Sequence, residues 1–435
     1  MIRRHIAKPM VLVILAVLLA AVTPAVEAQE AILRGKLGYE LAYGYTADEL
    51  VENGLVLELD VERRLGSAGK VHVGFSGRLG AAAEPSVKLD EAYADVYLAD
   101  VDLRLGRQVI NWGTADGFNP TNVLNPRGPL SAAALLASGG MPGGTPVVAI
   151  QASYYLPSGA SVTGVGIAGF VPAAGVDELL EAVAVRIGAE LPGGAPLPVE
   201  GPAAVPSDGS QFEWAARVEG LLAGHNVYVS YFRGWDDYPA AWVEGTLIPG
   251  GSDFLFLPTQ VAAAYRKVHK LGLATAGTVG DAGVWTEVAY TIPDELPELD
   301  APGVLALSSN DGYLEAVAGA DYTFGNGVFV SGQVIYNGGG SLLQPYKKPG
   351  AAVEPQTYVA GMVRYSPQPG HELQGVVLVN AVDRGVLAMA RYTYELTQSV
   401  SLTVGVSRVF AGAESEFAAI EPQANLAAAG ITVSF

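Results

Sequence analysis

The chain of 435 residues contains no cysteine. No disulfide can therefore staple the fold, and no lipid anchor can be attached to an N-terminal cysteine. Charged residues are also scarce, at 16% of the composition, and 25 Lys and Arg stand against 44 Asp and Glu. Binding of nucleic acid depends on basic patches, so a formal net charge of −19 argues against a nucleic-acid partner.

Beyond residue 22 the sequence lacks any run of about 18 apolar residues, the length at which a helix spans a bilayer. Yet half of the residues are apolar and the mean hydropathy is +0.29, which is unusual for a soluble secreted protein. A bilayer admits only helices and closed barrels, because backbone amides find no water there. The apolar residues recur in alternation, so a barrel is the membrane architecture that remains.

The N-terminal residues have the pattern of a secretory signal peptide. Arg3, Arg4 and Lys8 precede an apolar run, and a small-residue pattern typical of a cleavage site follows. We therefore expect residues 1–28 to be cleaved from the mature chain 29–435, with an uncleaved helical anchor as the alternative. The cleaved segment holds three basic residues and one acidic residue, so the mature net charge would be about −21.

Period-two patterning recurs from end to end in segments of about ten residues. The segments are joined alternately by short turns and by mostly long connections rich in Gly, Pro and acidic residues. This arrangement is typical of outer-membrane barrels, with the short turns and both termini in the periplasm. It predicts an all-β, transmembrane, antiparallel up-and-down β-barrel of 16–18 strands. The eighteen predicted strands are 32–44, 54–65, 69–80, 86–99, 101–110, 147–157, 160–170, 211–223, 225–234, 267–279, 282–292, 312–324, 326–338, 357–367, 371–381, 384–396, 399–411 and 424–435.

Two long connections carry further signals. In loop 171–210, apolar residues from Val176 to Ile187 recur at helical spacing and predict a short helix. Loop 111–146 is a candidate for folding into the barrel. Either loop could instead cover the mouth or form an ordinary surface element.

Several predicted strands carry charges on one face and apolar residues on the other. In strand 54–65, for example, Glu58, Asp60 and Glu62 alternate with leucine and valine. A charge facing lipid near the bilayer midplane costs about 2–4 kcal/mol, so the charged faces should line the lumen. A barrel of this width leaves an aqueous passage that would hydrate them. The candidate lumen-lining residues are Arg34, Lys36, Glu58, Asp60, Glu62, Arg64, Arg78, Glu91, Asp95, Arg104, Glu213, Arg217, Glu287, Arg364 and Arg391; Glu40, His72, Glu219, Glu315, Asp321 and Glu395 share these faces.

The most specific text of the chain lies between Leu89 and Arg127. It comprises DEAY from Asp90, LRLGRQ from Leu103, NWGTADGFNP from Asn111 and VLNPR from Val123. This text resembles the signature of a family of uncharacterised porin-like outer-membrane proteins, similar in general plan to alginate-export and phosphate-selective porins. The resemblance implies a passive channel and no defined substrate.

The same text predicts a structured loop after a strand end, because Asn, Asp, Gly and Pro favour turns. We expect this loop to fold back and brace or narrow the barrel, with a free external loop as the alternative. Trp112 is placed for the aromatic girdle or for stacking on a sugar ring. The candidate constriction or ligand residues are Trp112, Asp116, Asn119, Asn125 and Arg127.

The last strand alternates apolar residues with small or polar ones and ends on Phe435. This pattern is typical of the closing strand of an outer-membrane barrel. Such proteins present their C-terminal aromatic strand to the barrel-assembly machinery, so the resemblance makes Phe435 a candidate assembly signal.

Motifs of catalysis are not evident. Gly164, Gly166 and Gly169 match the dinucleotide fingerprint, but they lie within a strand that opens no helix. The histidines after the signal lie on separate strands or turns without short metal spacing. The sequence therefore predicts no catalytic residue, cofactor or metal site, and a protein that is not an enzyme.

The predicted function is passive diffusion of small hydrophilic solutes or ions across an outer membrane, with a weak preference for cations because the lumen acids outnumber the bases. The alternative is a structural or surface-interaction barrel with a plugged lumen. A carrier of a hydrophobic compound would need an apolar track in the lumen or a lateral opening, and the sequence indicates neither. The expected partners are outer-membrane lipid and the solute, while homo-oligomerisation stays open.

Overall fold

The computed structural model describes residues 31–80, 85–126, 132–138, 143–191, 193–202, 205, 209–250 and 253–435. The predicted signal segment 1–28 and the candidate Arg127 lie outside these ranges. Labels β1 to β22 follow chain order, and the four strands that do not belong to the barrel wall are introduced below.

Eighteen strands form one closed antiparallel sheet. Each wall strand pairs with the next wall strand along the chain, and the last pairs with the first from Lys36 opposite Ser434 to Gly44 opposite Leu426. The predicted up-and-down barrel is therefore confirmed. The wall strands are β1 (Ile32–Gly44), β2 (Glu49–Arg64), β3 (Gly69–Gly80), β4 (Ser86–Tyr97), β5 (Val101–Gln108), β6 (Val147–Tyr155), β7 (Ser161–Ile167), β9 (Glu213–Leu222), β10 (His225–Trp235), β13 (Lys267–Val279), β14 (Ala282–Pro293), β16 (Tyr313–Thr323), β17 (Val328–Asn337), β18 (Gln356–Tyr365), β19 (His371–Asn380), β20 (Val386–Thr397), β21 (Val400–Phe410) and β22 (Leu426–Ser434).

The alternation of side chains gives the wall an apolar outside. On β1, Leu37, Tyr39 and Leu41 are exposed, whereas Ala42 on the other face is buried. On β14, Tyr290 and Ile292 are exposed while Glu287 and Ala289 are buried. Large apolar side chains exposed in this pattern fit the hydrocarbon of a bilayer, because there they face lipid tails rather than water.

The two ends of the barrel differ. The short-turn end contains the start of β1, the end of β22 and short connections such as 65–68 and 280–281. At the long-loop end lie the connections that follow β5, β7, β10, β14, β17 and β21. Within the described residues no helix is long and apolar enough to cross a bilayer.

The long loops build a small folded cap with its own sheet. The cap strands are β8 (Val199–Glu200), β11 (Ala240–Gly250), β12 (Asp253–Ala264) and β15 (Val304–Ala306), and they pair in the order β15, β11, β12, β8. A helix, Val176–Ala189, packs Leu180, Val183 and Ile187 against Val243 and Val261 of this sheet. The sequence predicts a loop over 235–266, whereas the structure has the β11–β12 hairpin there. Its alternation is interrupted by a register shift between Glu244 and Gly245.

The described residues include three helices, labelled here α1 (Ala132–Ser138), α2 (Val176–Ala189) and α3 (Glu421–Ala424). Two short 3-10 turns, Pro297–Asp300 and Glu416–Ile420, complete the long connections. Helix α1 and the second 3-10 turn contribute Leu136 and Phe417 to an apolar cluster with the wall residues Ile335 and Leu387.

Candidate functional site

The segment after β5, residues 109–126 (the inward segment), crosses the interior of the barrel. The backbone N–H of Val109 donates to Glu91 of β4 at 2.7 Å, and the Asp116 carbonyl accepts from Gln333 of β17 at 2.7 Å. The Arg217 guanidinium of β9 lies 5.0 Å from the centre of a Trp112 ring. These strands stand at well-separated positions around the closed wall. One short segment can contact all of them only from inside.

Glu287 of β14 fastens the inward segment to the wall. Its carboxylate is fully buried and accepts hydrogen bonds from the backbone N–H groups of Thr114, Ala115 and Thr121. The hydroxyls of Thr114 and Thr121 also donate to it, at 3.1 and 2.8 Å. Five donors thus converge on one carboxylate, which compensates for its loss of water.

Two of the candidate ligand residues brace the segment instead of facing solute. Trp112 is 3% exposed and packs with Ile110 and Leu124, so the expectation of a girdle position or a free stacking face is wrong. The Asn125 amide oxygen accepts from the Ile110 N–H at 2.6 Å, and its nitrogen donates to the carbonyls of Gln108 and Thr145. Both side chains are engaged by the loop's own fold.

Asp116 and Asn119, the other two described candidates, line a cavity of about 780 Å³ between the inward segment and the wall, and Asn125 also borders it. The Asn119 amide donates to the Gly117 carbonyl at 3.0 Å and so shapes the turn. The position of Arg127 falls outside the described residues, and its role stays a prediction.

Strands β1 to β5 form a charged wall. Register pairs Arg34 with Asp60, and the Lys36 ammonium lies 3.1 Å from the Glu58 carboxylate. These side chains keep much of their exposure: 61% for Lys36, 48% for Glu58 and 54% for Asp60. Since their neighbours on the strand point outward into the apolar belt, this exposure is to open space inside the cylinder. The wall therefore borders the open lumen.

Other predicted lumen charges on this wall are paired with neighbouring charged side chains. Arg104 holds Asp95 through two hydrogen bonds of 2.6 and 3.0 Å. The Lys70 ammonium lies 3.1 Å from Glu62, which also has Arg64 at 3.9 Å. Arg78 pairs with Glu52. Sequence reasoning missed Glu52 and Lys70, although the strand alternation that placed Glu58 and His72 inward also places these two inward.

Not every inward charge is hydrated, in contrast to the expectation. Glu287, Asp95 and Glu213 are nearly or fully buried, and protein donors replace water around them. Glu213, for example, accepts from the Trp235 N–H at 2.7 Å. The inward segment contacts Glu287, the end of β10 contacts Glu213, and the side chains of Arg104 and Lys70 contact Asp95.

An apolar inner surface on β17 to β20 also departs from the sequence reading, which indicated no apolar track. Ile335, Leu378, Leu387 and Met389 belong to one cluster with Phe118 of the inward segment. Strand β19 shows why the pattern was missed. Leu373 and Val377 face out while Val376 and Leu378 face in, so both faces are apolar and alternation gives no contrast.

The remaining predicted lumen residues stand next to this surface. Register places Arg364 of β18 opposite Gln374 of β19, and Gln374 opposite Arg391 of β20. All three line the cavity. Lys270, which sequence reasoning missed, also lines it and lies 2.6 Å from Glu315.

Ionisable groups at the long-loop end have shifted pKa values. Two hydrogen bonds from Arg233, at 2.9 and 2.7 Å, hold the pKa of Asp294 below its ordinary value. Burial raises the pKa of the Asp236 carboxyl, and nearby Arg266 opposes the rise only in part. Burial also raises the pKa of Tyr238 to about 12. These groups lie where β10 and β14 end and the long connections begin.

A scan against protein-family models finds no match for the chain, and a search of curated proteins finds none. Solved structures do match. OccK2 (OpdF) of Pseudomonas aeruginosa, solved in complex with glucuronate, is 12% identical, with 93% of this chain and 97% of that chain covered and a TM-score of 0.51. The two chains share a fold.

Two further barrels align at lower scores. A loop-deletion mutant of OmpT, an outer-membrane protein of Vibrio cholerae, is 9% identical over 94% of this chain and all of its own, with a TM-score of 0.42. A mutant of Rh. blastica porin is 12% identical over 93% and 100%, with a TM-score of 0.41. None of these comparisons identifies the family that the text from Leu89 to Arg127 resembles, so that resemblance stays a prediction.

Among the described residues no group of three or more His, Asp or Glu side chains has the arrangement of a metal site. The chemistry that the lumen offers is therefore that of its charged wall, its apolar surface and the inward segment between them.

Proposed function

We propose that this chain is an outer-membrane channel through which small hydrophilic solutes and ions diffuse passively. The observation that supports it best is the exposure of Lys36, Glu58 and Asp60 inside a closed cylinder. Charged side chains that keep half of their surface free need water beside them, since a dry cavity would make each of them costly. The likeness of fold to OccK2 agrees with this function.

In this proposal the inward segment narrows the passage. It divides the lumen into an aqueous side, bounded by β1 to β5, and a more apolar side, bounded by β17 to β20. Solutes would pass between Asp116 or Asn119 and the wall, while Trp112 and Asn125 keep the segment rigid. Ion selectivity would follow the charges that remain exposed along this path.

The test is the conductance of the purified protein in a planar lipid bilayer. We expect stepwise current increments in KCl that scale with salt concentration, as for a water-filled pore. A bilayer that stays silent after verified insertion of folded protein would contradict the channel.

A second candidate function is a surface-interaction barrel. It is favoured by the cap, whose β11–β12 hairpin exposes Leu247, Leu255 and Leu257 beyond the barrel wall. Silence in the bilayer together with binding of the protein to an envelope or surface component would support this second function.

The proposal includes the route to the membrane. Residues 1–28 would act as a cleaved signal peptide, and the strand ending at Phe435 would be recognised by the barrel-assembly machinery. Two observations support this role for Phe435: its side chain is 60% exposed, and its backbone pairs with Gly35 at the seam of the barrel.

A further inference from the structure

We propose that the 780 Å³ cavity between the inward segment and strands β17 to β20 binds small amphipathic monoanions, such as an aryl carboxylate. The proposal rests on the channel function, because it names a solute class that the same lumen would retain. Its basis is a basic layer of side chains stacked on an apolar layer.

The basic layer is set by strand register. Arg364, Gln374 and Arg391 stand side by side on three successive strands, whose spacing is about 4.8 Å. Arg364, Gln374 and Arg391 all line the cavity, and the Gln374 amide nitrogen donates to the Met362 sulfur at 3.1 Å. Arg364 lies 4.9 Å from the centre of the Phe329 ring, and among the described residues no carboxylate comes within 4 Å of it. It is free to accept an anionic partner.

The acidic side chains around the cavity leave this layer positive. Glu315 is engaged by Lys270 at 2.6 Å, and Asp236 lies beside Arg266 on the far side. Asp116 and Asp237 line the cavity from loop segments, and the Asp116 backbone carbonyl accepts a hydrogen bond from Gln333 of β17. Glu372 is the acid on the same face of β19, two residues from Gln374. Within the row of Arg364, Gln374 and Arg391, Glu372 is one carboxylate beside two guanidinium groups, so the positive excess is local to this row.

The apolar layer begins one step toward the long-loop end. Register places Met362 opposite Val376, and Val376 opposite Met389. Leu378 and Leu387 form the next row. A ligand whose carboxylate meets the guanidinium groups would lay its body on these side chains. A polyhydroxylated anion would leave hydroxyls without partners there, which is costly.

The test is isothermal titration calorimetry on the full chain in lipid nanodiscs, with empty nanodiscs as the blank. Three probes separate the effect of the ligand's charge from that of its apolar or hydroxylated part: 3-phenylpropionate, gluconate and 3-phenylpropylammonium. We expect 3-phenylpropionate to bind at least about tenfold more tightly than either of the others, since only it matches both layers. The paired change Arg364→Gln and Arg391→Gln should weaken it by about tenfold or more, through loss of charge-assisted hydrogen bonds.

Met389→Gln should weaken 3-phenylpropionate while leaving both arginines in place. Lys348→Gln is the matched control, because it removes one positive charge from an exposed position on the cap. If the double variant does not assemble, the single Arg364→Gln variant replaces it. The proposal is overturned if the wild type binds the anion and the cation equally, if it binds gluconate as tightly as 3-phenylpropionate, or if the arginine variants bind unchanged.

Failure of the site and failure of the channel are distinguishable. Calorimetry does not need conduction, so binding by a chain that stays silent in a bilayer would reject the channel and retain the site. Conduction without binding of 3-phenylpropionate would reject the site and retain the channel.

Discussion

At the scale of single residues, one buried carboxylate decides where the inward segment lies. Glu287 gathers five donors from Thr114, Ala115 and Thr121, all within the segment. Nothing else along β14 holds the segment in a comparable way, among the contacts of the described residues. The width of the passage should therefore depend on this side chain more than on the exposed charges of the opposite wall.

We expect Glu287→Gln to loosen the segment. The amide replaces one acceptor oxygen with a donor, which leaves buried donors unsatisfied at a cost of roughly 1–3 kcal/mol each. Single-channel recordings should then show a larger mean conductance and more open-channel noise than the wild type.

The control for this change is Glu58→Gln, which removes a lumen carboxylate that makes no contact with the segment. Glu58→Gln should change the open-channel noise little. If Glu287→Gln and wild-type channels gave equal conductance and noise, the contact between Glu287 and the inward segment would not determine the width of the passage.

The sequence predicts the position of a side chain well where strand alternation fixes its face, and poorly where the path of a loop determines what the side chain contacts. Alternation predicts Glu58 and Asp60 on the inner face of β2, the face opposite to that of the exposed Leu55 and Leu57. The burial of Trp112 and the bracing role of Asn125 depend on how residues 109–126 fold back into the barrel. The contacts that hold this segment on β9 and β14 join residues more than a hundred positions apart, and no local pattern encodes them.

At the scale of elements, the glycine of the Gly-Arg-Gln sequence at the end of β5 has a steric explanation. Gly106 has a φ of 132°, and a Cβ there would lie 2.2 Å from the Ala92 carbonyl oxygen of the neighbouring strand. Only glycine allows β4 and β5 to approach in this way just before the chain turns inward. The signature therefore has a steric reason at this position.

Gly106→Ala should destabilise the barrel by about 1–3 kcal/mol, because both the backbone conformation and the contact with Ala92 are strained. The measurement is the guanidinium chloride concentration at which half of the protein is unfolded in detergent, monitored by tryptophan fluorescence.

Gly164→Ala offers a matched comparison on β7, since a Cβ there meets nothing within 4 Å. It should leave the midpoint near that of the wild type. Similar midpoints for the two variants would mean that the close approach of β4 and β5 at Gly106 does not contribute to the stability of the barrel.

Strand number was predictable at this scale because lipid and water on opposite faces impose a period of two over each wall strand. The cap was not, since β11 and β12 pair away from the bilayer and bury small residues such as Ala240 and Ala241 on either face. The apolar row containing Leu378 and Leu387 was hidden for the related reason that its strands are apolar on both sides.

At the scale of the whole molecule, charge balance should govern the flow of simple ions. The acids on the inner faces outnumber the bases, and those of the β1 to β5 wall are the most exposed. This general field coexists with the local basic layer at Arg364 and Arg391, which would hold one ligand without reversing the field along the other wall.

In a KCl gradient we expect a reversal potential of the sign that marks K⁺ as more permeant than Cl⁻. Asp60→Asn should lower that preference by less than about twofold, because mobile ions screen each single charge. Asp281→Asn, in a short turn outside the lumen, should leave it unchanged. Preference for Cl⁻ in the wild type would refute the cation hypothesis.

The early position of the inward segment in the chain has a consequence for biogenesis. Residues 109–126 precede their anchors Glu287 and Gln333 by more than 150 positions, so the segment cannot dock until late strands arrive. The nascent cylinder must be assembled around it, and narrowing of the bore coincides with completion of the wall. A chain stalled before β14 would carry an undocked segment, and any leak through such an intermediate would end only when the later strands supply the missing anchors.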